Sequence, residues 1–330
     1  MLSFLRKQES TMKLQTKIPL QTQQHNQIDY NSKTLLLGSC FSENIGNKFK
    51  YFKFQSAVNP FGILFHPLAI ENLITRSINK DYYSESELHF QNEQWCCLET
   101  HSKLKTESKD ELLNVLNTQI DKTNKQLCES THVIITLGTS WVYKYIVSDK
   151  IVGNCHKIPQ KQFLKELLSI KQISESIEAI ISLVKSVNPK INLLFTVSPV
   201  RHTKDGFVEN TQSKAHLISA IHTVLLPRAQ SRGLSYFPSY EIMLDELRDY
   251  RFYADDMIHP NQTAINYIWE KFQKVWISDE ALQIMEEVDA IQKGLQHKPF
   301  NPSAEAYHKF LQNLEEKKKK LQLNFPHFKF

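Results

Sequence analysis

A chain of 330 residues, 41% hydrophobic and 23% charged, has the make-up of a globular protein with a substantial core. Its 40 basic and 35 acidic residues leave a net charge of +5 without a basic stripe, so nucleic acid is excluded as the expected partner. No apolar stretch is long enough to span a membrane, and five cysteines without regular spacing suggest neither a disulfide framework nor a zinc site, so reduced thiols and a cytoplasmic location are expected.

Residues 1–12 are too short and too polar for a signal peptide and are expected to form a disordered extension. Residues 13–33 read as an edge segment leading into Leu35-Leu36-Leu37-Gly38, a short apolar run with the signature of a buried parallel strand. Gly38 permits a sharp turn, and Ser39 and Cys40 then stand where a strand ends and a helix near 42–50 begins. Open α/β sheets bind ligands at that edge, and a helix N-terminus favours a thiolate or a developing oxyanion. A tight turn without chemistry is the plain alternative.

Phe52, Phe54, Ala57 and Val58 predict a second strand, ended by Asn59-Pro60-Phe61-Gly62. A helix is predicted from Pro67 to Ile78. An insertion near 80–130 should hold a small hairpin and a crossover helix with Leu112, Leu116 and Ile120 on one face. His132 to Leu137 is the clearest buried strand and ends on Gly138-Thr139-Ser140. A hairpin is predicted over 142–152, then a helix over 172–187 stopped by Pro189. Ile191 to Val197 reads as another strand, ending Ser198-Pro199-Val200-Arg201-His202. A helix from about 211, a last core strand at 234–238, a helical stretch near 239–248 and a helix carrying Ala264, Ile268 and Phe272 complete the alternation. Alternating strands and helices predict a parallel sheet covered on both faces. The domain so defined is 13–279, and 280–330 reads as a charged helical appendage in which Lys317-Lys318-Lys319-Lys320 is a solvated face.

The strand ends gather on one sheet edge, and Asp256-Met257-Ile258-His259 precedes the last core helix. That spacing lets a carboxylate reach one imidazole nitrogen and leave the other free as a general base. Alone the motif is weak, because a surface histidine is the commoner meaning. Its weight comes from the strand-end residues.

Gly38-Ser39-Cys40-Phe41, Val58-Asn59-Pro60-Phe61-Gly62, Gly138-Thr139-Ser140-Trp141, Asn154-Cys155-His156-Lys157, Ser198-Pro199-Val200-Arg201-His202 and Asp256-Met257-Ile258-His259-Pro260 resemble the motifs of the bacterial GSCFA domain family over roughly 30–275. That family is similar to the SGNH/GDSL hydrolases. The resemblance implies a flavodoxin-like three-layer α/β/α sandwich with a central, mostly parallel five-stranded sheet, and ester chemistry without metal or cofactor. The GDSL serine aligns with Cys40, and Ser39 falls on the Asp, so Cys40 is favoured over Ser39 as nucleophile, with His259 and Asp256 completing a triad. The oxyanion-hole asparagine of the SGNH pattern aligns with Ser140. The oxyanion donors implied are the Cys40 N–H, Gly62, and Ser140 or Thr139, with Asn59 or Asn154 as substitutes. Asn154, His156, Arg201 and His202 are the substrate contacts expected. The implied function is hydrolysis or acyl transfer on a small-molecule or glycan ester or thioester, and the alternative is a binding module that keeps the fold without turnover. A nucleotide-binding reading is disfavoured by the lack of a glycine-rich phosphate loop.

Overall fold

A computed structural model describes residues 16–228 and 233–330. The extension expected at 1–12 lies outside the described residues. In chain order the elements are β1 (Lys33–Gly38), α1 (Cys40–Tyr51), β2 (Gln55–Val58), α2 (Pro67–Asn79), β3 (Leu88–Gln91), β4 (Gln94–Cys97), α3 (Lys109–Glu129), β5 (His132–Leu137), β6 (Trp141–Tyr145), β7 (Lys150–Val152), β8 (Phe163–Leu167), α4 (Ile170–Val187), β9 (Asn192–Val197), α5 (Phe207–Leu225), β10 (Leu234–Phe237), the single turn α6 (Ser239–Glu241), α7 (Gln262–Trp276), α8 (Asp279–Gln296) and α9 (Glu305–Asn324).

The central sheet has five strands in the order β10-β9-β5-β1-β2, and every neighbouring pair is parallel. This is the fold class read from the sequence. Alternate residues of each strand point to opposite faces, and two separate cores result. On one face Leu35, Leu37, Val133, Ile135, Leu193 and Phe195 pack against apolar residues of α2, α3, α4 and α5. On the other, Leu36, Ile134 and Leu194 pack against α1, α7, α8 and α9. Residues of the expected appendage take part in this second core: Ala281, Met285, Val288 and Ile291 of α8, Leu314 and Leu321 of α9, and Phe328 are all buried in it.

Register lines up the strand ends. Gly38 pairs with Thr136, Thr136 with Thr196, and Thr196 with Phe237. From β1 the chain winds first to β2 on one side and then to β5 on the other, so β1 and β5 flank a topological switch point at their carboxyl ends. Ser39 and Cys40 sit at that point.

Two antiparallel additions decorate the crossovers. The hairpin β3-β4 lies in the predicted insertion and is tied down by Arg76 of α2, buried, which pairs with Glu99 at 2.8 Å and with Glu87 and lies 4.2 Å from the Tyr83 ring centroid. The predicted 142–152 hairpin is present as β6-β7, but β8 pairs with the other edge of β6 to make a three-stranded sheet. Strand β8 was not foreseen because its sequence FLKEL is mostly exposed and lacks clear alternation. The second strand is also shorter than expected. Phe52 caps α1, its N–H donating to the Lys48 carbonyl, and pairing starts at Gln55. Among the described residues no helix is long and apolar enough to cross a membrane.

Candidate active site

Gly38 has φ +132°, and a Cβ there would lie 2.1 Å from the Thr136 carbonyl oxygen. Only glycine lets the chain leave β1 so close to β5. The Ser39 N–H donates to that Thr136 oxygen at 3.0 Å. Ser39 is buried and is the N-cap of α1, its hydroxyl accepting from the Phe41 N–H at 3.3 Å. Cys40 is the first residue of the helix and is partly exposed. A first-turn N–H has no partner within its helix, so the Cys40 N–H makes no intrahelical bond. Burial pushes the Cys40 thiol up. The positive charge of Lys214 opposes this, Glu43 adds to it, and the N–H groups of Cys40 and Phe41 lower it. The helix terminus therefore does not by itself make this thiol acidic, contrary to the ready activation expected from sequence.

The loop after β2 braces the same turn. Asn59 is buried with φ 42°, and its Oδ1 accepts from the Gly38 N–H at 2.9 Å. Its Nδ2 is buried without a partner. An unmet buried donor costs about 1–3 kcal/mol. The Gly62 N–H donates to the Asn59 carbonyl at 2.8 Å, and Gly62 itself, at φ +74°, is pressed against His101.

After β5, Thr139 and Ser140 are buried and turned towards α5. The Thr139 hydroxyl is 2.8 Å from the Ser213 hydroxyl, and the Ser140 hydroxyl donates to the Ser213 carbonyl at 3.2 Å. Beside them lies a residue that sequence reading missed. Lys214 is fully buried and donates to the Gly138 and Ser198 carbonyls, both at 2.7 Å, tying together the ends of β5 and β9. Its ammonium also lies 5.5 Å from the Tyr240 ring centroid. A lysine on a helix normally reads as a solvated position, and nothing in the sequence of α5 marks Lys214 as an exception.

Burial pulls the Lys214 ammonium down to about 7, while Cys40 raises it. Between about pH 7 and about pH 10 the unfolded chain therefore binds one more proton at this site than the folded chain, and stability must rise with pH. Relative to Lys214→Met, wild-type stability is expected to gain about 1.4 kcal/mol per pH unit across that window, measured by urea unfolding at several pH values. A flat difference would show that Lys214 titrates as it does in water, and a falling one that folding favours its ammonium.

His202 joins this group from the β9 end. Its N–H donates to Asn210 Oδ1 at 2.8 Å, and its Nε2 is buried without a partner, 3.1 Å from where a Cβ on Gly138 would stand. Burial, with the charges of Lys214 and His259 adding to it, pushes the ring down to about 3, so His202 is neutral.

The Asp256–His259 loop reaches the same edge. Asp256 Oδ2 is 2.6 Å from His259 Nδ1, and its Oδ1 accepts the N–H groups of Ile258 at 2.9 Å and His259 at 3.0 Å. These bonds from the His259 backbone and ring hold the Asp256 carboxyl down at about 2. The carboxylate thus fixes Nδ1 as the protonated nitrogen and leaves Nε2 as an acceptor. The loop is docked on Arg201, whose N–H donates to the Ile258 carbonyl at 3.1 Å. No hydrogen bond joins His259 to Cys40 in this structure; the ring is about half exposed on the rim.

Asn154 and His156 lie further along the wall. Asn154 Oδ1 accepts from the His156 N–H at 2.8 Å, and the buried His156 ring contacts the Thr100 carbonyl through Nε2 at 2.8 Å. Its Nδ1 has no hydrogen-bond partner, and burial lowers the ring to about 4. The His156 ring thereby braces the loop at Thr100–His101 that supports Gly62, and Asn154 holds His156 in place. Among the described residues no three His, Cys, Asp or Glu side chains converge as a metal site requires.

The sequence matches the model of the GSCFA family over residues 33–272 and that of the GSCFA domain protein C-terminal domain over 288–330. No functionally curated protein matches it. Among solved structures it is similar to an acetyl xylan esterase from the rumen bacterium Butyrivibrio proteoclasticus, with 11% identity and a TM-score of 0.36 over 81% of this chain. The chain spans 65% of that enzyme's length.

Proposed function

Given that this chain belongs to the GSCFA family, we propose that it is an esterase-like hydrolase or acyltransferase working through a covalent intermediate on Cys40. The observation that carries this reading is an imidazole oriented by a carboxylate at 2.6 Å, on the same sheet edge as a thiol at a helix N-terminus. In the reaction His259 Nε2 takes the thiol proton and the sulfur attacks the acyl carbon. The carbonyl oxygen becomes an oxyanion facing the Cys40 N–H and Asn59 Nδ2. The carbon–oxygen bond to the alcohol breaks and the alcohol leaves with the proton from His259. Water, or an acceptor hydroxyl, then loses a proton to His259 and attacks the thioester. The acid or new ester departs, and the sulfur recovers the proton. Asp256 keeps the ring in one tautomer throughout.

Ser39 is the cap rather than the nucleophile in this reading, because its hydroxyl is buried on the Phe41 N–H. Where it is protonated, Lys214 favours the thiolate form of Cys40 through its charge. Thr139 and Ser140 stand behind the oxyanion and hold α5 in place. This reading requires the hydrogen bond between Cys40 and His259 to form in the substrate complex, where catalytic hydrogen bonds often tighten.

Turnover of 4-nitrophenyl acetate tests the assignment. His259→Ala is expected to lower kcat/KM by about 10²–10⁴. An unchanged rate would remove His259 from the mechanism. The second reading, a glycan- or acyl-binding module without turnover, draws on the internal hydrogen bonds of Gly62, Thr139 and Ser140, which leave fewer oxyanion donors than the SGNH pattern. No turnover by the wild-type chain across acyl esters and thioesters would favour it.

A further inference from the structure

Next to the Asp256–His259 loop lies a cavity of about 340 Å³ between the start of α5 and the segment after α6. Its lining includes Arg201, Arg248, Phe207, Tyr240, Tyr250 and Tyr253. The Arg201 guanidinium carbon is 5.2 Å from the Phe207 ring centroid, 5.5 Å from Tyr253 and 5.9 Å from Tyr250. One of its N–H groups donates to the Met257 carbonyl at 3.2 Å. Among the described residues no carboxylate ion-pairs with Arg201. Asp249, the single acid of the lining, is held by Arg251 at 3.0 Å.

An arginine fixed by three rings and a carbonyl has lost its rotamer freedom in advance, and the rest of its planar fork is presented without a counter-charge. Such a fork matches a carboxylate in two parallel hydrogen bonds. Phe207 and Tyr250 are 66% and 63% exposed, so the rim offers ring surface to an apolar or sugar body that carries the charge. A second arginine, Arg248, leaves the lining net positive. Because Arg201 is bonded to Met257 and Ile258, a group held here is held against the segment that carries His259.

We propose that this cavity is a subsite for a carboxylate, so that the ester turned over at Cys40 belongs to a molecule with a second, anionic end. The inference rests on the proposed function for the word ester, but the subsite itself is defined without it. The carboxylate could sit on the alcohol side, as in an acylated uronic acid, or on the acyl side, as in a half-ester of a dicarboxylic acid. Both present the same planar anion on a ring or chain.

The test is calorimetric binding to the full chain carrying Cys40→Ala, which separates binding from turnover. Phenyl-β-D-glucuronide is compared with phenyl-β-D-glucoside, and monobenzyl succinate with benzyl butyrate. At least one carboxylate probe is expected to bind about tenfold or more tightly than its neutral twin at low salt, and the pair that shows the preference identifies the side. Arg201→Gln should abolish the preference, bringing the carboxylate probe down to the affinity of its neutral twin. Arg201→Lys should restore only part of it, because an ammonium lacks the fork. Unaltered melting temperatures keep a folding defect apart from a lost contact. Equal binding of both twins, no binding of either, or a preference that survives Arg201→Gln overturns the subsite. Tighter binding of phenyl phosphate than of either carboxylate probe overturns its assignment to carboxylate. If the preference holds while the wild-type chain turns over no ester, the subsite stands and the catalytic reading falls.

Discussion

Cys40→Ala is expected to lower kcat for an activated ester by at least about 10³, to the level that binding and oxyanion contacts sustain without a nucleophile. The loss is large because no neighbouring group can replace the sulfur. Ser39 is adjacent, but its hydroxyl caps α1 and is buried. Its own replacement by alanine should cost about 1 kcal/mol of stability, the usual value of an N-cap, and leave most of the turnover. Cys40→Ser should recover little, since an alcohol is far less acidic than a thiol and the site offers one imidazole to activate it. Steady-state kinetics on the three variants, each checked by its melting temperature, decides between positions 39 and 40. A Cys40→Ala enzyme within tenfold of wild type, with Ser39→Ala inactive, would exchange their roles.

Gly38→Ala is expected to be the most damaging single methyl in the molecule, destabilising it by about 4 kcal/mol or more in urea unfolding. Two costs add. At φ +132° any side chain is strained, and the new Cβ would stand 2.1 Å from the Thr136 carbonyl oxygen. Backbone cannot yield as a flexible side chain can, so β1 must part from β5 or the turn must unwind. Either movement breaks the Ser39 N–H bond to Thr136 and the Gly38 N–H bond to Asn59, and shifts Cys40. Activity should therefore fall even where the variant remains folded. A loss below about 1 kcal/mol would mean that the turn relaxes freely and that its geometry does not position the thiol.

The sheet was legible because its strands announce themselves. Leu35-Leu36-Leu37 and Val133-Ile134-Ile135 are apolar at every position, as strands covered on both faces must be, and glycine marks the edge where each ends. The 280–330 segment was harder. Its buried residues are spaced among many charges, and only the α1 and α7 surface beneath them shows that Met285, Val288, Ile291, Leu314 and Leu321 face a core. The Asp256–His259 pair could be read from spacing, because a carboxylate three residues before an imidazole meets it within one turn. Lys214 could not. Its role depends on two carbonyls from strands 76 and 16 residues away, and nothing local distinguishes it from a surface lysine. Asn59 was noticed as a substitute donor, but its division into an acceptor holding Gly38 and an unmet Nδ2 follows from the loop's fold alone.

Intact-mass analysis after a short exposure to an acyl-donating aryl ester, followed by peptide mapping, reports directly whether a bond forms and where. The account predicts one acyl adduct on Cys40, slower to appear in His259→Ala and missing in Cys40→Ala. An adduct confined to another residue, or a wild-type chain that hydrolyses the ester while Cys40 stays unmodified even after rapid quenching, would contradict it.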